Sequence, residues 1–332
     1  APASPPPVAA VAAPTPLPQP APRRHDLDTD SAFPLLGTVV EESDNRLVME
    51  RTYRLHQDLF LGDHTIGGEP SAHDPSLRPI PVIPFTFSME ILAEAASRLV
   101  GQGLRFVGMN VARGHRWLSL DDDTLTARIV VERAPGAREV SGRIFLKQPG
   151  GLKTGVLVFE GTACFADAYE TPPAPMPWTA EESWPATQNP DGELYSHGMF
   201  HGPRLQGVKH IRRWADDAIE ADLEVIPTHD YFAHTRTPRF QLDPALLDAA
   251  GQLAGYWLTE KHTWGFNCFP FRLGKFRQFA PPPAAGSRVL CRGILRMTDE
   301  HLLEAHFDLI SADGTLLARA EAWEDRKFSV PK

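Results

Sequence analysis

Apolar and polar residues alternate along most of this chain, which is the pattern of β-strands that bury one face. In the first half, strand-like segments occupy residues 33–41, 47–55, 104–118, 123–134, 138–148 and 152–166. In the second half, they occupy residues 205–214, 218–226, 271–279, 287–298, 301–311 and 315–324. Turn signals such as Pro135-Gly136 separate neighbouring segments. The pattern therefore predicts a protein built mainly of antiparallel strands.

Two segments break the alternation and predict helices, Phe85 to Val100 and Asp243 to Leu258. The first follows Pro84, a residue favoured at a helix start, and Asp243 is suited to cap the second. Both segments are apolar nearly all round, as expected of helices buried at the centre of a fold. Each half therefore repeats one plan of strands around one long helix. The predicted fold class is α+β, a double hotdog in which two antiparallel sheets each wrap around a long central helix.

Two proline-rich stretches divide the chain. Residues 1–24 contain almost only alanine, proline and a few polar residues, which cannot bury a core and favour extended conformations. They are typical of an interdomain linker, so we expect the chain to be part of something longer. The predicted organisation is a linker at 1–30, an N-terminal hotdog at 31–170, a proline-rich connector at 171–193 and a C-terminal hotdog at 194–332.

Composition argues against several classes of protein. A formal net charge of −9 disfavours nucleic acid as a partner, because phosphate binding needs clustered basic residues. Apolar runs stay shorter than the roughly 18 residues of a membrane span, so no membrane partner is expected. Cys164, Cys268 and Cys291 are far apart and lack CxxC spacing, which predicts free thiols and a cytoplasmic location. We expect no metal and no cofactor.

His64 is the first candidate for chemistry. It lies in the loop Asp63-His64-Thr65-Ile66-Gly67-Gly68, which precedes the Phe85 helix. An imidazole titrates near neutral pH and can take up or release a proton. Free backbone N–H groups at a helix start can stabilise an oxyanion, so the combination favours proton abstraction next to a carbonyl. A loop histidine is more often structural, and the loop alone does not decide between these interpretations.

Asp248 is the second candidate. It lies in the second predicted helix between Leu247 and Ala249, where an unpaired charge is costly. Burial would raise its pKa and keep it protonated near neutrality, as a general acid requires. Gln252 follows one turn later on the same face and can hydrogen-bond the carboxyl group. A surface-facing aspartate is the alternative.

Together these pieces resemble the dehydratase domains of polyketide synthases and related fatty-acid megasynthases. His64 through Gly68 matches the first part of the family's HxxxGxxxxP motif, and Asp248 through Gln252 matches its DxxxQ/H motif. Gly202-Pro203, which predicts a tight turn, matches the end of the YGP motif. The segment at 33–37 resembles the opening HPLLG motif, and Phe269-Pro270-Phe271 resembles the later LPF motif. The resemblance extends from about residue 33 to residue 330.

The sequence departs from the family pattern around the presumed site. Pro84 follows Gly68 by sixteen positions instead of five, which implies an insertion of eleven residues at about 69–79. Phe85 stands where the family usually has glycine, and His201 replaces its usual tyrosine. We expect these changes to alter the surroundings of the substrate more than the acid/base pair.

The resemblance implies loss of water from a 3-hydroxyacyl thioester to give the 2-enoyl thioester. His64 would take the proton from C2, and Asp248 would protonate the hydroxyl that leaves C3. Backbone N–H groups near Gly68 or the start of the Phe85 helix would hold the thioester carbonyl, and Gln252 would orient Asp248. The residues that would help to position substrate are His201, Gly202 and Pro203. The implied partners are an acyl carrier protein with a phosphopantetheine-linked acyl chain, neighbouring synthase domains and a second copy in a homodimer.

Two other functions remain open. The same pair of residues on the same fold supports double-bond isomerisation or ring closure, as in pyran-forming and product-template relatives. A non-catalytic hotdog module that docks a carrier protein is the other alternative, although the presence of both His64 and Asp248 argues against it.

Overall fold

The structure is a computed structural model that describes residues 33–67, 78–120, 122–147, 155–178, 184–196, 199–261 and 266–329. The predicted linker at 1–30, Gly68 and most of the predicted insertion lie outside these residues. Within them, the regular structure consists of two α-helices, fourteen β-strands and three short 3-10 helices.

The helices are α1 (Phe85–Val100) and α2 (Pro244–Lys261). The strands of the first half are β1 (Thr38–Ser43), β2 (Arg46–Arg54), β3 (Thr65–Ile66), β4 (Ile80–Pro81), β5 (Arg105–Gly114), β6 (Thr124–Glu132), β7 (Glu139–Leu146) and β8 (Val156–Ala166). Those of the second half are β9 (Val208–Ala215), β10 (Ala218–Glu224), β11 (Phe266–Gln278), β12 (Arg288–Met297), β13 (Leu302–Ile310) and β14 (Leu316–Ser329). The 3-10 helices span Leu59–Asp63, Asp191–Glu193 and Pro203–Leu205. Each predicted helix and strand overlaps one of these elements.

Twelve strands form one antiparallel sheet in the order β1-β2-β6-β7-β8-β5-β11-β14-β13-β12-β10-β9, and β3 pairs with β4 separately. The structure therefore corrects the prediction of two separate sheets, because β5 of the first half pairs with β11 of the second. This pairing satisfies N–H and C=O groups that two free sheet edges would expose. Gly108 permits the close approach, since a Cβ there would lie 2.1 Å from the carbonyl oxygen of Phe276.

Both helices are buried by the strands of their own half. α1 packs against β2 and β5–β8, and α2 packs against β9–β13. Every residue of α1 from Thr86 to Ala96 is buried, as the all-round apolar pattern predicted. The α+β class, with a largely antiparallel sheet and few helices, is confirmed. In the described part of the chain, no helix combines the length and the apolarity that crossing a membrane requires.

The first predicted strand begins later than expected, because residues 33–37 form a turn that buries Leu35 and Leu36. Side chains, rather than a neighbouring strand, satisfy the backbone of this turn. The carboxyl group of Glu94 accepts the N–H of Leu35 at 2.9 Å, and the Tyr53 hydroxyl donates to the Leu35 carbonyl at 3.0 Å. These bonds join the turn to α1 and β2.

β11 begins at Phe266, earlier than the predicted residue 271, because its first residues pair with the end of β14. The register shifts between Pro270 and Arg272, which marks a β-bulge. Proline has no N–H, and it is tolerated at a bulge because the bulged residue is not paired in the ladder. A bulge also redirects the neighbouring side chains. The extension brings β11 and the end of β14 to the wall of a cavity.

Candidate active site

A cavity of about 380 Å³ is lined by residues of both halves. Its wall comes from the loop that contains His64, the start of α1, one face of α2, β11 and the end of β14. A largely apolar cavity with a few polar side chains is typical of a small-molecule site. The buried polar side chains that line it include His64, His201, Asp248, Gln252 and Asp325.

His64 directly follows the 3-10 helix Leu59–Asp63 and is 7% exposed. Its Nδ1 lies 2.7 Å from the carbonyl oxygen of Val82. Because a carbonyl oxygen only accepts, Nδ1 carries the proton and Nε2 keeps a free lone pair. Burial, reinforced by the charge of His201, lowers the pKa of His64 to about 4, although Asp248 opposes the shift. The imidazole is therefore neutral at neutral pH and suited to accept a proton.

Asp248 projects from α2 and is 8% exposed. The side-chain amide of Gln252 donates to Oδ2 of Asp248 at 2.9 Å, and Nε2 of His201 lies 3.4 Å from the same oxygen. Burial raises the pKa of Asp248, but His201, helped by His64 and Gln252, outweighs burial and lowers this pKa below its ordinary value. The prediction that burial keeps this carboxyl group protonated is therefore wrong. The helix alone suggests a raised pKa, whereas the fold places two imidazoles beside the carboxylate.

His201 lies opposite His64 in an isolated antiparallel bridge and is 9% exposed. Its ring stacks on Phe200, with ring centroids 4.4 Å apart. One side-chain nitrogen or oxygen atom from each of His64, His201 and Asp248 lies within 4.8 Å of the other two. Among the described residues, Nδ1 of His201 has no hydrogen-bond partner. The sequence predicts a substrate-positioning role for His201, and no motif signals its contact with Asp248.

The Gly202-Pro203 turn does not line the cavity. The N–H of Gly202 donates to the carbonyl of Asp63 at 2.8 Å, and Nη1 of Arg204 donates to the Asp63 carboxylate at 2.9 Å. A Cβ on Gly202 would lie 2.3 Å from Oδ1 of Asp63, so the contact requires glycine. The structure therefore places Gly202 and Pro203 where they hold the two histidine segments together, and their role in positioning substrate stays a prediction.

A chain of hydrogen bonds orients Gln252. Its side-chain nitrogen donates both to Asp248 and to the carbonyl of Leu205, each at 2.9 Å. The hydroxyl of Tyr195 donates to the side-chain oxygen of Gln252 at 2.7 Å and accepts the N–H of Val208 at 2.9 Å. The amide of Gln252 is thereby fixed with its nitrogen toward Asp248, as the predicted orienting role requires. Sequence reasoning missed Tyr195, which lies outside the matched motifs.

Phe85 is the first residue of α1 and lines the cavity. Its ring packs edge-on against Phe159 and Trp323, with centroid distances of 5.2 and 5.8 Å. The first turn of an α-helix leaves N–H groups without intrahelical partners, so α1 presents hydrogen-bond donors near this wall. Gly68, the other predicted position for oxyanion binding, lies outside the described residues.

The three clustered side chains are of the types that bind transition metals. The ligands of a tetrahedral zinc ion, with bonds of about 2.0–2.1 Å, lie roughly 3.3 Å apart. One donor atom from each of His64, His201 and Asp248 lies within 4.8 Å of the other two, and Nε2 of His201 lies 3.4 Å from Oδ2 of Asp248. The cluster therefore offers three potential metal ligands as well as groups for proton transfer.

Comparison with known proteins identifies related domains. Residues 173–331 match the family described as "Polyketide synthase dehydratase N-terminal domain". Although that description names an N-terminal domain, the matched region is the second half of this chain and contains Asp248, His201 and Gln252. His64 lies outside the match.

Solved structures of dehydratase domains share the fold over most of the chain. The dehydratase domain from the CurF module of the curacin polyketide synthase is 20% identical, with a TM-score of 0.67, covering 91% of this chain and 100% of that one. A dehydratase domain of a trans-AT polyketide synthase from Brevibacillus brevis is 17% identical, with a TM-score of 0.67, covering 90% and 99%. The domain from the CurJ module is 15% identical, with a TM-score of 0.64, covering 90% and 98%. The resemblance predicted from the sequence is confirmed.

Proposed function

We propose that this chain, whose second half matches the polyketide synthase dehydratase family and whose fold resembles solved dehydratase domains, removes water from a 3-hydroxyacyl thioester to give the 2-enoyl thioester. One observation carries the proposal. His64 and Asp248 lie far apart in sequence, yet they meet in one cavity as a neutral imidazole and a carboxyl group. Dehydration next to a thioester needs a base at C2 and an acid at C3, and these two groups supply them.

His64 is the base in this proposal. Its Nδ1–H is held by the carbonyl of Val82, so Nε2 is free to take the proton from C2. The backbone N–H groups of the first turn of α1 are the donors that we assign to the thioester oxygen as negative charge develops there. Both assignments use groups that are in place before substrate binds.

Asp248 delivers the second proton in partnership with His201. Nε2 of His201 lies 3.4 Å from Oδ2 of Asp248, so in this proposal the two groups hold the proton jointly. As the C3–O bond breaks, this proton joins the leaving hydroxyl and forms water. His64 then holds the proton from C2 and returns it to the Asp248–His201 pair, which lies within 4.8 Å. No proton is gained or lost over the cycle.

The proposed setting is a synthase. We propose that an acyl carrier protein presents the substrate on its phosphopantetheine arm, and that neighbouring synthase domains supply and remove it. Within this proposal, α1 and α2 are the central helices of a double hotdog with boundaries at 31–170 and 194–332, joined by the connector at 171–193. A homodimer and a cytoplasmic location remain predictions.

The test is incubation of the purified chain with 3-hydroxyacyl pantetheine thioesters of both C3 configurations, followed by mass spectrometry. We expect loss of one water molecule with one configuration, and no loss with His64→Ala or Asp248→Asn. Conversion without a change in mass would indicate isomerisation or ring closure instead. Binding without any conversion would favour a carrier-docking module, and an unchanged rate in His64→Ala would exclude the proposed base.

A further inference from the structure

A second buried carboxyl group, Asp325, lines the same cavity and has no part in the proposed reaction. Asp325 is 2% exposed and lies near the end of β14. Residues two apart on a strand share a face, so Asp325 projects to the same side as Trp323, which also lines the cavity. The intervening Glu324 pairs with Arg272 on the opposite side of the strand. Asp325 therefore lies on the cavity side of β14.

The surroundings of Asp325 leave much of its hydrogen-bonding capacity unused. The indole nitrogen of Trp323 donates to Oδ1 of Asp325 at 3.1 Å. Among the described residues, no second hydrogen bond to this carboxyl group is found. Opposite Asp325 on β11 stands Pro270, which has no N–H to offer. The described residues provide no ion pair to Asp325, and Arg116, the arginine of the cavity wall, is exposed.

A carboxyl group in this position is costly unless something in the cavity pairs with it. Burial, together with the charge of Asp248, raises the pKa of Asp325 to about 7, although the bond from Trp323 opposes the shift. Both protonation states are therefore present near neutral pH. A ligand carbonyl can pair only with the protonated form, because a carboxylate donates nothing. A ligand hydroxyl can pair with either form, since it both donates and accepts.

We propose that Asp325 binds a second hydroxyl group on the acyl chain, beyond the C3 hydroxyl that is eliminated. The substrate class is then a 3-hydroxyacyl thioester with at least one further hydroxyl, rather than a plain alkyl chain. The cavity wall is largely aromatic or apolar, with a few polar side chains, among them Cys268 beside Asp325. A hydroxyl placed next to Asp325 gains the carboxyl group as a hydrogen-bond partner, whereas a methylene leaves that carboxyl group unpaired by the ligand. This inference rests on the proposed function, whose substrate it narrows.

The test compares matched pantetheine thioesters: a plain 3-hydroxyacyl chain, and the same chain with a second hydroxyl at C5, C7 or C9. We expect the wild-type protein to favour one hydroxylated chain by about tenfold or more in kcat/KM, the size of effect that an unpaired buried polar group produces. Asp325→Leu should abolish or reverse this preference. Asp325→Asn, which keeps a donor and an acceptor at the same size, should retain most of it and protects the test against misfolding of the leucine variant.

Glu324→Gln is the matched control, because it removes one carboxylate from the adjacent residue on the opposite side of β14. The ratio of kcat/KM for the hydroxylated chain to kcat/KM for the plain chain should be the same in Glu324→Gln as in the wild-type protein. Equal kcat/KM for plain and hydroxylated chains in the wild type, or an unchanged ratio in Asp325→Leu, would overturn the proposal.

Binding separates this inference from the proposed function. Dissociation constants for the same thioesters, measured by calorimetry with His64→Ala, should show the same preference without turnover. If no thioester is dehydrated but the hydroxylated chain binds more tightly and Asp325→Leu loses the difference, the assignment of Asp325 stands and the proposed reaction fails. If dehydration proceeds with no preference in rate or binding, the assignment of Asp325 fails alone.

Discussion

The two central helices both carry buried carboxyl groups, but these groups face different surroundings. Glu90 and Glu94 on α1 are fully buried. Glu90 accepts the backbone N–H groups of Gln241 at 2.6 Å and Leu242 at 2.9 Å, just before the start of α2. Burial raises the pKa of both glutamates well above the ordinary value. These groups join segments of the backbone and favour their protonated forms.

Asp248 on α2 faces a cavity and two imidazoles instead of backbone N–H groups. His201 and His64 lower the pKa of Asp248, although burial opposes them. A carboxyl group inside an apolar helix is therefore no sign of catalysis by itself. The neighbours that the tertiary structure supplies decide whether the group stabilises the fold or transfers protons.

Removing a cavity group should give the largest effect on activity. His64→Ala and Asp248→Asn should each lower kcat by about 10²–10⁴-fold, because general acid–base catalysis typically contributes that much. Turnover of a 3-hydroxyacyl thioester measures the loss, and thermal unfolding should show that both variants remain folded. If a folded Asp248→Asn variant kept the wild-type rate, the carboxyl group on α2 would have no role in the reaction and would not differ in function from those on α1.

Removing Glu90 should affect stability rather than chemistry. Glu90→Ala leaves one buried and one partly buried N–H group without partners and should lower the free energy of unfolding by about 2–4 kcal/mol. Urea denaturation measures this change, and activity per folded molecule should stay near the wild-type value. Glu90→Gln keeps an acceptor and should lose less stability. Loss of activity without loss of stability would assign Glu90 to the chemistry.

Replacing His201 should move the pH dependence of activity. The charge of His201 helps to lower the pKa of His64 to about 4, so His201→Gln should let that pKa rise toward 6.5. A base must be neutral to act, so activity is lost on the acid side, and the acid limb of kcat/KM should move to higher pH. The measurement is a pH–rate profile over the stable range. His210→Gln is the control, since His210 pairs with Asp191 at 2.7 Å and does not line the cavity, and an identical shift there would refute the assignment.

Glu94→Gln should give the smallest effect, a flatter dependence of stability on pH. Burial raises the folded-state pKa of Glu94 above 4.5, so the protonated form is favoured by folding, and the stability that it contributes is lost as pH rises through the folded pKa. A neutral amide has no such loss. The difference in melting temperature between Glu94→Gln and the wild-type protein should therefore grow in favour of the variant above pH 4.5. Parallel curves would contradict the raised pKa.

Much of the fold could be predicted because it depends on local periodicity. The Phe85–Val100 helix begins and ends as the sequence predicts, and the strands differ mainly at their ends. The turn at 33–37 could not be predicted, because Glu94 and Tyr53 satisfy its backbone from distant positions. The pairing of β5 with β11 was missed for the same reason: a sheet edge has no signature in the pattern of either strand.

The candidate site divides in the same way. Motif resemblance identified His64, Asp248 and Gln252, and the structure brings all three into one cavity. Neither spacing nor composition predicts the contact between His201 and Asp248, or the orientation of Asp325 into the cavity. Both depend on segments that meet only after folding.

By itself, the sequence determined the helices, most of the strands and the identity of the acid/base candidates, because these depend on residue types over short distances. Only the tertiary structure decided the protonation of those candidates. A pKa depends on the charges and solvent within a few ångströms, and His64, His201 and Asp248 reach that range from three separate segments. The same reason explains why the pKa of Asp248 is lowered although its helix is apolar.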